Sequence, residues 1–114
     1  MVDVNVEVGE ILSAAECAVE YQYPTDFTKI PVITYYTLTE GMGMTADNDE
    51  IIQDASVQAD IWCASAKECG ALAVEVNSLM SAGGWNRQFS MDQKRADGEN
   101  VYHKTMRFNK SVTL

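Results

Sequence analysis

Few residues in this chain could carry out chemistry. Its 114 residues include one histidine, His103. A histidine that acts as a general base needs a nucleophile within reach and an acid that orients it. No serine or cysteine lies in a recognisable nucleophile turn such as GxSxG. We therefore predict no catalytic residue, and we predict that His103 is a surface or interface side chain.

The three cysteines, Cys17, Cys63 and Cys69, are an odd number and contain no CxxC pair. This count argues against both a disulfide framework and a zinc knuckle. Cys63 and Cys69 fall on apolar positions of a predicted strand and a predicted helix. We expect them to be small buried side chains that remain reduced.

Two motifs suggest a metal or a cofactor and fail on inspection. The acidic segment Asp47–Glu50 resembles the start of a calcium loop, but the later positions that require glycine and glutamate are Ile52 and Gln58. The glycines Gly41 and Gly43 lack the third glycine and the following helix of a dinucleotide site. The sequence thus predicts no metal and no cofactor, and a solvated acidic segment.

The elements that must position these side chains are clearest between residues 53 and 82. A strand alternates strictly: one face carries Val57, Ala59, Ile61 and Cys63, and the other carries Gln58, Asp60 and Trp62. Ser65 and Glu68 then have the spacing of a capping box. They open a helix whose apolar stripe ends at Gly83-Gly84.

The remaining pattern predicts one α+β domain over residues 1–114. A further helix is predicted over 4–16, with a start anywhere between Val4 and Glu7. Strands are predicted at 18–23, 32–40, 85–93 and 101–108, with a hairpin turn at Asp97-Gly98. A long loop is predicted at 40–52 and a loose tail at 109–114. Two helices would pack on one face of a mostly antiparallel four- to five-stranded sheet. Trp85 should pack on the core.

Charge is distributed unevenly along the chain. Residues 1–60 hold twelve acids and one base (−11), and residues 61–114 hold five acids and seven bases (+2), which together give the net charge of −9. Such an acidic chain is not expected to grip nucleic acid, because that affinity comes largely from Lys and Arg. The asymmetry either reflects a solvated surface or marks two faces that meet head to tail in an oligomer.

Other totals bound the class of protein. Hydrophobic residues make up 46% of the chain, enough for a core, but no run reaches the roughly 20 apolar residues of a membrane helix. The first ten residues also lack the positive charge and apolar stretch of a secretory signal. We therefore expect no membrane association.

The candidate functional surfaces are interfaces. A long loop in a compact domain is usually functional or mobile, and methionines on such a loop can either form an adaptable contact or fold back on the sheet. The outer sheet face near Trp62 is also more apolar than solvation requires, which favours a partner. The candidate interface residues are Met42, Met44, Asp47, Asp49, Glu50, Trp62 and His103.

Several segments together resemble a known family. They are Tyr21–Pro24, Pro31–Tyr36, Val57–Trp62 followed by a helix from Ser65 or Ala66, Gly84–Arg87 and Tyr102–Phe108. In order and spacing, over nearly the whole chain, they resemble the tail-completion (tail-terminator) proteins of long-tailed bacteriophages. The loop at 40–52 is a departure from that pattern.

The resemblance implies a non-enzymatic α+β subunit of a homo-oligomeric ring, a hexamer. The ring would sit in the virion neck, after assembly in the bacterial cytoplasm, and would contact the tail tube protein and the head-tail connector protein. DNA would pass through its lumen without sequence-specific binding, which an acidic inner surface would assist. The alternatives are a head-closure or connector protein of the same neck and a small ligand-binding regulatory α+β module.

Overall fold

Two helices and five strands make up the fold within residues 1–46, 49–98 and 100–114, which the computed structural model describes. For residues 44–46, 49 and 50, it describes the backbone only. The elements are α1 (Val4–Leu12), β1 (Ala18–Tyr21), β2 (Val32–Ala46), β3 (Asp49–Cys63), α2 (Ala66–Ala82), β4 (Asn86–Ala96) and β5 (Val101–Thr113). The α+β class predicted from the sequence is confirmed.

The strands form one mixed sheet in the order β1-β2-β3-β5-β4. Only the β1–β2 pair is parallel, and the other three pairs are antiparallel, as predicted. Both helices pack on the same sheet face, because the core joins Val8 of α1 and Val76 of α2 to alternate residues of β3, including Val57 and Ile61. The period of two in β3 correctly predicts this buried face.

The start and the end of α2 follow local rules. The Ser65 side chain accepts a hydrogen bond from the backbone N of Glu68 at 3.1 Å, while Glu68 Oε1 accepts one from the backbone N of Ala64 at 3.3 Å. This is the predicted capping box, with the reciprocal bond shifted by one residue. After the helix, Gly84 adopts a φ of +86° that favours glycine, and Trp85 is buried in the core as predicted.

Helix α1 is shorter than the predicted 4–16. Asp3 caps its start and accepts a hydrogen bond from the backbone N of Asn5 at 3.0 Å. The helix ends at Leu12, where the hydroxyl of Ser13 donates to the carbonyl of Glu10 at 2.6 Å. Serine competes in this way with the helical backbone, so the chain turns at Ser13 and does not add a further helical turn.

The predicted loop at 40–52 is wrong, because this segment is the outer part of a β-hairpin. Strand β2 runs to Ala46 and β3 begins at Asp49, and the two strands are paired as far as these residues. We call the hairpin residues 38–46 and 49–55 the arm. Backbone groups of an extended segment can be satisfied by a neighbouring strand even where glycines hide the alternation. Asp47 lies outside the described residues.

The predicted loose tail at 109–114 is also wrong. Strand β5 continues to Thr113 and pairs with β3 along residues 52–56. Lys110 Nζ donates to Glu7 Oε1 at 2.6 Å and to the carbonyl of Gly83 at 2.8 Å, which ties this end of the sheet to both helices. Residues 109–113 form a strand because the extended β3 pairs with them, and the local sequence does not indicate this partner.

Candidate functional site

The predicted interface residues fall into two groups at opposite ends of β3. Met42 and Met44 lie on the β2 strand of the arm, and the backbone of Asp49 and Glu50 lies nearer the tip of the hairpin, opposite Ala46 and Thr45. Met42 is 68% exposed. The second group, Trp62 and His103, is paired at the other end of the strand. From Glu50 to Trp62 a strand rises about 40 Å at roughly 3.3 Å per residue. The two groups therefore do not form one surface.

Trp62 is not an exposed interface residue, and this prediction is wrong. The side chain is 4% exposed, since the segment 22–31 after β1 folds over the outer sheet face. Tyr23 and Phe27 contact the indole with ring centroids 5.1 and 5.7 Å away. The indole Nε1 donates to Thr34 Oγ1 at 2.9 Å. Trp62 therefore stabilises a second, smaller core that also contains Val32 and Val101.

His103 is partly exposed, so its predicted place at a surface or interface stays a prediction. Its side chain is 16% exposed, and its ring stacks on Trp62 with centroids 3.7 Å apart and an interplanar angle of 12°. Its Nε2 lies 2.8 Å from Asp60 Oδ1. Strand β5 lies inside the sheet between β3 and β4, so a central residue of β5 has neighbours on both sides. This position limits the access of solvent to the ring.

Asp60 is the centre of a polar network that we did not predict. It is 3% exposed, and it accepts hydrogen bonds from Thr105 Oγ1 at 2.6 Å and from Gln58 Nε2 at 3.0 Å, besides its contact with His103. Burial by itself raises the pKa of Asp60. The hydrogen bonds from His103, Thr105 and Gln58 outweigh burial and leave that pKa below its ordinary value. The signal in the sequence is an acid between Ala59 and Ile61, on a strand with a buried face.

The hydrogen bonds of this network stabilise the sheet. An aspartate–histidine pair is two thirds of a hydrolytic triad, which also needs a nucleophile. In the described part of the chain, no serine or cysteine side chain is hydrogen-bonded to His103. The contacts of Asp60 with His103 and Thr105 link β3 to β5, and the bond from Gln58 stays within β3. Nor do the described residues contain a group of three or more His, Cys, Asp or Glu placed to hold a metal ion.

The cysteines follow the prediction. Cys63 and Cys69 are buried free thiols, and Cys17 is half-buried. A hydrogen bond with Cys69, followed by burial, raises the pKa of Cys63. Burial, with the carboxylates of Glu75 and Glu68, also raises the pKa of Cys17. The same hydrogen bond with Cys63 lowers the pKa of Cys69, but this thiol is buried in the core, so all three cysteines are packed side chains.

We expect a thiol reagent to label native Cys17 first, because labelling of Cys63 and Cys69 requires the core to open. Mass spectrometry of the labelled peptides over time would measure the order. In urea the three thiols should react at similar rates, which provides the control. Labelling of Cys69 ahead of Cys17 in the native protein would contradict the buried assignment.

The two edges of the sheet are the most accessible backbone in the described residues. Strand β4 is exposed along nearly its whole length and carries Arg87, Lys94 and Arg95. At the opposite edge, β1 covers β2 only as far as Tyr35, so the outer side of the arm has no strand partner among the described residues. The sequence led us to predict a contact surface in the segment that forms the arm, which stays a prediction, and gave no indication of the exposed edge at β4.

A groove of about 500 Å³ crosses the outer sheet face between the arm and the start of β4. Hydroxyl, amide and carboxylate side chains dominate its lining, among them Thr39, Asp54, Ser56, Asn86 and Asn109. Such a lining favours contact with a polar partner. No helix in the described part of the chain has the length and hydropathy needed to cross a membrane.

No family model matches the chain, and no curated protein matches it.

Proposed function

We propose that the chain is a non-enzymatic structural subunit of a hexameric ring in the neck of a long-tailed bacteriophage. In this role it caps the tail tube, joins the tube to the head connector and lets DNA pass. The proposal is supported by the resemblance of segments along nearly the whole chain to tail-completion proteins. The α+β fold with a mostly antiparallel sheet agrees with what that resemblance implies.

The observation that carries the proposal is the difference in charge between the arm, on one side of the sheet, and β4 at the opposite edge. The arm holds Glu40, Asp49, Glu50 and Asp54 and no lysine or arginine, whereas β4 holds three bases and one acid. Two different and complementary surfaces on one subunit favour head-to-tail association. Such association makes a closed ring when the rotation between subunits closes.

The net charge of −9 suits a channel for DNA. A lumen that lacks clustered Lys and Arg does not release counterions from the phosphates, so it does not bind the duplex tightly. DNA could then move through the ring. The partners in this proposal are further copies of the chain, the tail tube protein and the connector protein, and the place of action is the virion.

Binding to isolated phage structures tests the proposal. The purified protein is mixed with tail tubes or with portal complexes and then sedimented, and the bound protein is quantified. We expect binding to the ends of tail tubes. Binding to portal complexes alone would favour a head-closure protein of the same neck, and binding to neither would contradict a neck function.

Replacing Asp47, Asp49 and Glu50 together with alanine should weaken assembly and leave the fold intact, because the change removes three charges and no apolar side chain. We expect circular dichroism to be unchanged and the concentration at half-assembly to rise several-fold. The control is Glu10→Ala, Glu16→Ala, Glu75→Ala, which changes exposed acids outside the arm by the same charge. Equal assembly of the two triple variants would exclude the arm from the interface.

A second candidate, a ligand-binding regulatory module, is favoured only by the polar groove. A metabolite that binds the folded state at 100 times its Kd would stabilise it by about 2.7 kcal/mol. A thermal-shift panel of metabolites would detect this. Under the ring proposal, we expect no member of the panel to raise the Tm.

A further inference from the structure

We propose that β4 of one subunit pairs with the β2 edge of the arm of the next subunit, so that the sheet continues across the boundary. This inference rests on the proposed ring and names the contact that builds it. The occupant of each free edge is therefore a second copy of the same chain. The argument uses the backbone at the two edges, their lengths and their charges.

Strand β4 has one hydrogen-bonded neighbour, β5, and its other side faces no described strand. Its eleven residues include Met91, which is 49% exposed. A long exposed edge presents a row of unpaired backbone N–H and C=O groups and is a template for pairing with another chain. Proteins generally cover or blunt such an edge. Here no described element of the same subunit covers it.

The arm offers a second edge of similar length. Residues 38–46 of β2 lie beyond the end of β1. They span about 30 Å at roughly 3.3 Å per residue. A Cβ placed on Gly41 would meet no atom within 4 Å, so the backbone there is open to close approach. Glycine inside a strand often marks the site where another backbone approaches. The neighbouring Met42 is exposed and can adapt to a partner surface.

Charge selects the arm, and not a second β4, as the partner of β4. A two-fold pairing of β4 with itself centred on Met91 would place Arg87 opposite Arg95, and like charges opposite each other destabilise a sheet. An arm paired with an arm would bring together two segments that each hold four acids and no base. Pairing of β4 with the acidic arm brings opposite charges together and is also the head-to-tail geometry of a ring.

Charge reversal on β4 tests this contact. Arg87→Glu, Lys94→Glu should raise the concentration at half-assembly by about tenfold or more, because each opposed pair becomes a like-charge pair. The matched control is Lys29→Glu, Lys67→Glu, which makes the same charge change at exposed positions outside both edges. Wild-type assembly should weaken with salt and assembly of the reversed variant should not, since salt screens attraction in the first and repulsion in the second. Light scattering measures the assembly of the wild type, this variant and the control.

Rescue makes the test specific. Asp49→Lys, Glu50→Lys alone should also weaken assembly, and its combination with the β4 reversal should restore most of it. Hydrogen exchange should show that amides of residues 38–46 and 86–96 gain protection on assembly, while amides of α1 do not. Any of four results would overturn the proposal. The β4 variant could assemble as the wild type does, the control could weaken assembly equally, the combined variant could fail to restore assembly, or the wild type could be a monomer at its highest soluble concentration.

The two proposals can fail separately. Rings that bind tail tubes but assemble through another surface would overturn the strand pairing and leave the neck function in place. Assemblies that follow the charge-reversal pattern and bind no phage structure would overturn the neck function and leave the strand pairing in place.

Discussion

Trp62→Ala should lower the free energy of unfolding by about 3–5 kcal/mol, the usual cost of removing a buried aromatic side chain. The indole is 4% exposed, stacks on His103 and is covered by Tyr23 and Phe27. Its removal leaves a cavity and also releases the segment 22–31 from the sheet. Urea unfolding followed by circular dichroism would measure the loss.

Two further variants separate packing from surface effects. Trp62→Phe retains an aromatic ring and loses the hydrogen bond to Thr34, so it should cost only about 1 kcal/mol. Met91→Ala, on the exposed β4 edge, should change stability by less than about 0.5 kcal/mol. If Trp62→Ala kept its full stability but lost assembly, Trp62 would be an interface residue after all.

Asp60→Ala should cost about 2–3 kcal/mol at pH 7, because Thr105 loses its acceptor inside the sheet and a charge-assisted hydrogen bond disappears. The pKa of Asp60 is lowered in the folded protein. Its contribution is therefore complete above the unfolded pKa of about 4 and is lost as the pH falls through the lower folded value. The stability difference between wild type and variant should be largest at neutral pH and should shrink in acid.

The matched control for this prediction is Asp92→Ala. Asp92 also contacts a cation, Lys104, at 3.0 Å, but its side chain is 83% exposed. Its removal should cost less than about 1 kcal/mol. A difference for Asp60→Ala that stayed constant from neutral to acid pH would show that the lost interaction does not depend on the carboxylate charge.

The parts of the fold that could be predicted are those whose signal is local. Val57, Ile61 and Cys63 alternate with polar residues, and burial on one face follows directly from the pleat. The side chains of Ser65 and Glu68 accept hydrogen bonds from backbone N–H groups at the start of α2, all within five residues. Gly84 provides a left-handed conformation at the end of that helix. Each of these features depends on neighbours in sequence.

The parts that could not be predicted depend on partners far along the chain. The arm and the end of β5 contain glycines and polar residues, and they are strands because β3 pairs with both. Trp62 and His103 alternate onto the outer face as predicted, and the segment 22–31 then covers the indole. No periodicity in that segment indicated where it would fold. The exposure of β4 likewise follows from strand order and not from its composition.

The most direct test of the central claim is the mass of the purified protein in solution, measured by light scattering, with negative-stain images of the same sample. A head-to-tail ring subunit predicts a mass of six chains and closed rings in the images. A mass of two chains, with two-fold particles and no rings at any concentration, would contradict the account.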